Sequence, residues 1–297
     1  KTLQWATRLN HPIFRTGDLG DGDRDSNTQT QTYDLLKQES SGVGVVSPDG
    51  QHISLILQPH RTAQDDDFSA QRTYVVLSAE TGTLEGSVEV SGLILGRVLT
   101  NDSLAIQTAR NYYPGAEGQG VISVYPLSNL AGKPSTISSD HWLLGASRDS
   151  LLLSPYSPTT GNDRSTRFRP FTVTQMGTDG TVRRTITGVN RVYPGGWLQR
   201  FSDPAAAATL AASTAGKDDD QTQAAWDALP TQIVDLNSGS THDLMGGRAE
   251  SVGVPTGPGL LISREAADGD GSPQQFWLSA ADDGHPHTED LEQFSTK

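Results

Sequence analysis

The sequence predicts an all-β chain folded as a β-propeller of four-stranded antiparallel blades. Three observations predict it. A glycine recurs in one setting at Gly44, Gly96, Gly145, Gly196 and Gly253, with spacings of 52, 49, 51 and 57 residues. Each lies in a short apolar run followed by a polar turn and a second apolar run. The first copy reads Val43-Gly44-Val45-Val46, then Ser47-Pro48-Asp49-Gly50, then Ile53 to Leu57. A period of about 50 residues with this content marks a repeat architecture. The composition agrees: 34% of the 297 residues are hydrophobic, with 31 Gly and 16 Pro, which suits many short strands joined by many turns.

Each repeat reads as four strands, A to D. Strand A carries the glycine and is expected at 43–46, 94–99, 142–146, 194–200 and 251–254. Innermost strands converge on the axis, where a residue without Cβ lets backbones approach. Short A–B turns follow, such as Thr100-Asn101-Asp102 and Ser147-Arg148-Asp149, because Pro pre-sets φ and Asp bonds its own loop. Strand B is expected at 53–57, 104–108, 151–153, 207–211 and 260–263. Longer polar B–C connections occupy 59–71, 111–119, 156–167, 213–229 and 265–274. Strand C is expected at 73–77, 121–125, 171–175, 231–236 and 275–279, and strand D at 84–90, 134–137, 182–187, 241–244 and 289–294.

These units give one domain, 1–297, with repeats near 41–90, 91–138, 139–189, 190–245 and 246–297. Residues 1–40 do not form a whole unit. Thr2–Leu9 and Thr32–Leu36 read as strands that close the ring with the other chain end, which removes an exposed edge. Six blades are the expectation, five the alternative. One segment breaks the pattern: Gln221–Leu229, after Asp218-Asp219-Asp220, reads as a short helix with an acidic start, favoured by the helix dipole. Trp226 and Leu229 share one face of it, either as a packing clamp for the long loop or as a partner-binding surface. Trp5, Trp142, Trp197 and Trp277 fall in strands and are read as packing residues.

Two stretches resemble known propeller repeats. Val43-Gly44-Val45-Val46-Ser47-Pro48-Asp49-Gly50 is similar to the SPDG hairpin of bacterial WD40-like, TolB-like and YVTN propellers. Tyr74-Val75-Val76-Leu77-Ser78-Ala79-Glu80-Thr81-Gly82 is similar to the C–D hairpin of PQQ-like repeats. The resemblance implies the fold and a bacterial, extracytoplasmic setting, either secreted or membrane-anchored through a segment outside this sequence. It implies no function, since the superfold hosts enzymes, receptors and scaffolds. The quinone-dependent dehydrogenases of that superfold are longer and often carry a vicinal disulfide, which a chain without Cys cannot make.

Charge narrows the partners. The net charge is −13, and the acids are 26 Asp against 9 Glu, so the acidity is mostly loop acidity. Such a surface does not suit nucleic acid or anionic lipid heads. No apolar run approaches the roughly 20 residues of a membrane-spanning helix. Absence of Cys removes thiol catalysis and Cys–metal sites. A monomer with a protein or small-molecule ligand is the expectation.

The long B–C connections place their polar residues on one face, where loops held by a rigid scaffold tend to bind. The candidates there are Arg61, Asp65, Asp66, Asp67, Tyr112, Tyr113, Arg164, Arg167 and Trp226. Asp21, Asp23 and Asp25 in DLGDGDRDSN resemble the start of an EF-hand loop and make Ca²⁺ the one cofactor considered. Position 12 of that loop is Thr32 and position 6 is Ser26, where the motif needs Glu and Gly, and a solvated acidic loop is the simpler reading. No GxSxG elbow, HExxH or phosphate-cradling glycine loop occurs. The leading expectation is therefore a non-enzymatic interaction or ligand-binding module. The alternative is a glycoside hydrolase using paired carboxylates at the channel mouth, although aromatic platforms are sparse at 6%.

Overall fold

A computed structural model describes residues 44–57, 71–109, 120–155, 170–214, 220–244, 247–250, 258–264, 274–279 and 287–290. They form antiparallel meanders in which each strand pairs with its sequence neighbour. The first sheet is β1 (Gly44–Val46), β2 (His52–Leu57), β3 (Gln71–Ser78) and β4 (Leu84–Ser91). The second is β5 (Leu93–Leu99), β6 (Ser103–Ala109), β7 (Gly120–Pro126) and β8 (Ser135–Ser139). Then come β9 (Trp142–Ala146), β10 (Ser150–Ser154), β11 (Phe171–Gly177), β12 (Val182–Tyr193), β13 (Trp197–Phe201), β14 (Thr231–Asp235) and β15 (Thr241–Asp243), hydrogen-bonded into seven strands. The last sheet is β16 (Gly247–Glu250), β17 (Gly259–Arg264), β18 (Gln274–Ser279) and β19 (His287–Asp290).

The seven strands are two four-stranded units sharing β12. Its first part pairs with β11, from Met176↔Val182 to Phe171↔Val189. Its last part pairs with β13, from Val189↔Arg200 to Tyr193↔Trp197. The chain turns the corner between outer and inner strand at Gly188, whose φ of 72° is natural only to glycine. A Cβ there would also lie 2.7 Å from Pro204 Cβ. The corner between the first two sheets is likewise made by a glycine, Gly92, at φ 105°.

The fourth unit departs from the expected strands. Gly196 is not in strand A; it sits in the turn between β12 and β13 at φ 87°. Residues 197–200, expected in strand A, belong to β13, the second strand of the unit. Ala207–Ala211, expected as strand B, is helical: α1 spans Pro204–Ser213. The reason is local. Asp203 Oδ1 accepts from the N–H groups of Ala205 and Ala206, both at 3.0 Å, Pro204 opens the first turn, and an alanine run has the highest helix propensity. Asp203→Ala should cost about 1 kcal/mol, read from the denaturant midpoint. The expected second helix is present as α2 (Asp220–Asp227). The expected strand A at 251–254, with Gly253, and residues 1–40 lie outside the described residues. In the first two units strands A to D fall within two or three residues of expectation, as do strands A to C of the third, whereas the first strand of the last sheet is β16 at Gly247–Glu250, four residues before the expected 251–254.

Sheets pack face to face through apolar layers. Tyr74, Val76, Val88 and Val90 of the first sheet meet Leu99, Leu104 and Ile106 of the second. Val98, Ala105, Ile122 and Val124 meet Leu143, Ala146, Leu151 and Leu153 of the third. Leu144, Leu152 and Val173 meet Val192, Leu198 and Val234 of the fourth, and Trp142 joins that layer. Tyr193, Trp197 and Ile233 meet Leu260, Ile262 and Leu278 of the last. Each fully buried side chain of this kind contributes roughly 1.5–3 kcal/mol.

Along the inner strands the repeat glycines do the work expected of them at two positions. A Cβ on Gly96 in β5 would lie 2.5 Å from the Leu143 carbonyl oxygen of β9, and one on Gly145 would lie 2.8 Å from Val192 Cγ1. β5 thus runs against β9 at backbone distance, the close approach that a residue without Cβ permits.

Candidate functional site

The two ends of the sheets are unlike. At one end the A–B turns bond in series to one another and to the turn between β14 and β15. Asp49 N–H donates to Asn101 Oδ1 at 3.2 Å, Asn101 N–H to the Arg148 carbonyl at 2.8 Å, and Arg148 N–H to Asn237 Oδ1 at 2.7 Å. Asn237 Nδ2 in turn donates to the Gly195 carbonyl at 2.8 Å. Within each turn a hydroxyl and a carboxylate satisfy the backbone: Ser47 Oγ donates to Asp49 Oδ1 at 2.5 Å and Thr100 Oγ1 to Asp102 Oδ1 at 2.9 Å. Polar groups here are occupied in holding turns together.

Two carboxylates at this end titrate low. The Arg183 guanidinium, 2.7 Å from Asp149, holds the Asp149 carboxyl below the usual range. Hydrogen bonds from Thr181, first its hydroxyl and then its N–H, do the same for Asp179. A depressed carboxylate adds stability above its unfolded pKa and loses it as pH falls through the folded value. Both partners of the Arg183–Asp149 pair are solvent-exposed, so Arg183→Ala should cost below about 0.5 kcal/mol at neutral pH and barely move the acid-unfolding midpoint.

The other end carries the long connections. They leave from Leu57 and return at Gln71, leave from Ala109 and return at Gly120, leave from Ser154 and return at Phe171, and leave from Phe201 and return at Thr231. The ladder registers place these strand ends together, opposite the bonded turns. Arg61, Asp65, Asp66, Asp67, Tyr112, Tyr113, Arg164 and Arg167 belong to three of these connections and lie outside the described residues, as do Asp21, Asp23 and Asp25.

Trp226 is placed. It lies in α2, is 4% exposed, and its ring centroid is 5.6 Å from that of Phe201, tilted by 44°. Ala207, Leu210, Ala211 and Leu229 complete the cluster, so α1 and α2 plug the end of the fourth sheet through this indole. That is the packing role rather than an exposed binding surface.

The same end holds polar groups that sequence reasoning missed. Tyr193 OH donates to Gln199 Oε1 at 2.8 Å, and Gln199 Nε2 donates to Thr231 Oγ1 at 3.1 Å. At the Gly188 corner, Asn190 Oδ1 and Arg200 Nε are buried with no hydrogen-bond partner among the described residues, and so is Trp226 Nε1. These are one acceptor and two donors within a few residues of the plug, and orphaned groups of this kind mark a place where polar chemistry is unfinished. The signal that could have found the corner was the glycine between strands D and A. Among the described residues no group of three or more His, Asp or Glu side chains is placed to hold a metal ion. None of the helices described is long and apolar enough to cross a membrane.

No family model matches the sequence, and no curated protein matches it. Solved structures similar to the fold include the β-propeller domain of the Trilobed protease from Pyrococcus furiosus, at TM-score 0.44 and 10% identity over 85% of this chain and 70% of that one. An acylaminoacyl peptidase from Pyrococcus horikoshii is similar at TM-score 0.44 and 11% identity, over 83% and 37%. An apocarotenoid oxygenase from Synechocystis is similar at TM-score 0.40 and 14% identity, over 84% and 61%. The chain thus spans about three-fifths of the oxygenase and just over a third of the peptidase. At these scores the likenesses carry no conclusion about activity.

Proposed function

We propose that this chain is a β-propeller of the PQQ-like and WD40-like repeat type, and that its long-connection face binds a protein or small-molecule ligand without chemical turnover. One observation carries the reading: the connections rich in Asp, Arg and Tyr are rooted at one end of a rigid set of sheets, while the other end spends its polar groups on turn-to-turn bonds. Rigid strands holding variable loops are the usual basis of a binding face. The face is mixed in charge, with Asp65–Asp67 on one connection and Arg164 and Arg167 on another, which suits a polar ligand better than a purely cationic one. The extracytoplasmic, bacterial envelope setting belongs to the same proposal and is supported by the repeat resemblance.

Five blades fit better than six. Each sheet is built from a contiguous stretch of chain, and the turn of the first sheet lies beside the start of β17: a Cβ on Gly50 would be 3.2 Å from Pro258 Cδ. That approach of the first sheet to the last supports the five-blade alternative. A chain beginning at residue 41 should then keep its melting temperature within a degree or two; loss of the cooperative transition would restore the six-blade reading.

Binding is tested with soluble glycans, cell-wall fragments and peptides by calorimetry. Saturable binding without product release is expected. It should weaken about tenfold or more either when Asp65, Asp66 and Asp67 are all changed to Asn or when Arg164 and Arg167 are both changed to Gln. Reducing ends released from a glycan would replace this reading with glycoside hydrolysis, and no binding across the panel would remove it.

A further inference from the structure

The fourth sheet carries a helical insertion whose removal would leave the sheet's own ladder whole. Strands β13 and β14 pair in register out to Phe201↔Thr231, and Ser202 N–H donates to the Pro230 carbonyl at 2.9 Å. The ladder is thus closed across the neck from which α1 and α2 leave. Helix α1 also completes its own ends. Asp203 caps its start, and at its close the Thr214 N–H and Oγ1 both donate to the Leu210 carbonyl, at 3.0 and 2.7 Å.

The apolar surface that docks these helices is small. α1 buries one residue, Ala207, and α2 is anchored by Trp226. Among the described residues Phe201 is the one sheet residue in their cluster, which is separate from the layers on either side of the fourth sheet. Burying the indole brings little polar gain, since Trp226 Nε1 has no hydrogen-bond partner among the described residues. Thr222 and Asp227 of α2 make further contacts. Pro204 rests on the Gly188 corner, where a Cβ would lie 2.7 Å from Pro204 Cβ, and this fixes where the insertion leaves the sheet. The cost of a local opening follows the buried contacts it breaks. Here the apolar ones belong to a single small cluster, and the ladder beneath stays whole.

We propose that α1 and α2 form a lid that leaves the end of the fourth sheet while the sheets stay folded. Opening uncovers Phe201 beside Thr231, its partner across the ladder, and Gln199, whose Nε2 donates to Thr231 Oγ1 at 3.1 Å. An aromatic ring flanked by an amide and a hydroxyl is then presented at the end where the long connections are rooted. The lid is a property of the fold and stands whether or not that end binds a ligand.

The sequence has no Cys, so one introduced thiol is a unique probe. Ala207→Cys places it under the lid, and Ala105→Cys places it in the layer between the second and third sheets; both alanines are 0% exposed. Labelling by an aromatic disulfide reagent is followed in rising urea below the unfolding transition, with circular dichroism confirming that each variant is folded. Without urea Ala207→Cys should label at least about a hundredfold faster than Ala105→Cys, because local opening is more populated than global unfolding. Its rate should rise little with urea, since little surface is exposed, whereas the Ala105→Cys rate should climb steeply. Hydrogen exchange of the unsubstituted chain reads the same opening without a probe: amides of 207–213 in α1 should exchange faster than those of β14. Equal rates and urea slopes at the two thiols, or α1 amides as slow as those of β14, would overturn the lid.

Discussion

Replacing Gly96 by alanine is expected to cost the fold about 3 kcal/mol or more. The added Cβ would lie 2.5 Å from the Leu143 carbonyl oxygen and 3.2 Å from Leu143 Cβ. The obstacle is mainly backbone in a hydrogen-bonded strand, which cannot rotate away as a side chain can. Relief requires β5 and β9 to separate, which loosens the packing of Val98 and Ala105 on Leu143. Gly44→Ala is the internal control. Its Cβ would meet Leu55 Cδ2 at 3.2 Å, the free end of a side chain, so the cost should stay within about 1 kcal/mol. Urea midpoints of the two variants measure the difference. Equal losses would mean that the recurring glycine marks the repeat without setting the approach of the inner strands.

That contrast shows what was legible in the sequence. The meander of four strands could be read because apolar runs such as Ile53–Leu57 and Val121–Tyr125 are separated by turns of Pro, Asp and Gly whose chemistry is local. The fourth unit was misread where two signals competed. The spacing drew Gly196 into strand A, although the preceding Pro194-Gly195 already made it a turn. Ala207–Ala211 has no period-2 alternation, and Asp203-Pro204 ahead of it is a helix start; the repeat overrode a correct local signal. The Gly188 corner was hidden for another reason. One strand serves two units there, and a unit-by-unit reading has no place for a shared strand.

The candidate site was legible only as a face. Which connections are long follows from turn composition, and the ladder registers put their roots together. Trp226 was one of two readings of its helix, and burial against Phe201 favours packing. The contact of Arg97 on β5 with Tyr74 on β3, 5.5 Å from guanidinium carbon to ring centroid, was not legible at all. It depends on how one sheet lies on the next, and nothing local in either strand encodes it.

The second large effect should come from Gln107, a buried side chain that ties β6 to the start of β9. It is 1% exposed. Its Nε2 donates to the His141 carbonyl at 2.8 Å and its Oε1 accepts from Leu143 N–H at 2.8 Å. Gly120 leaves the space for it, since a Cβ there would sit 2.7 Å from Gln107 Nε2. Gln107→Leu keeps the volume and orphans both backbone groups, so a loss of about 2–5 kcal/mol is expected. Gln107→Glu separates hydrogen bonding from size. A protonated carboxyl can donate to His141 and accept from Leu143 as the amide does, whereas a carboxylate would face a carbonyl in a dry site. Burial raises the folded pKa of such a group above the unfolded value of about 4.3, so its stability is present at low pH and lost as pH rises. The glutamate variant should therefore approach the wild type near about pH 5 and fall toward the leucine variant near about pH 8, read from urea midpoints at each pH. A constant gap between glutamate variant and wild type across that range would show that the tie contributes packing alone. The inter-sheet bond would then have no part in fixing the second sheet against the third.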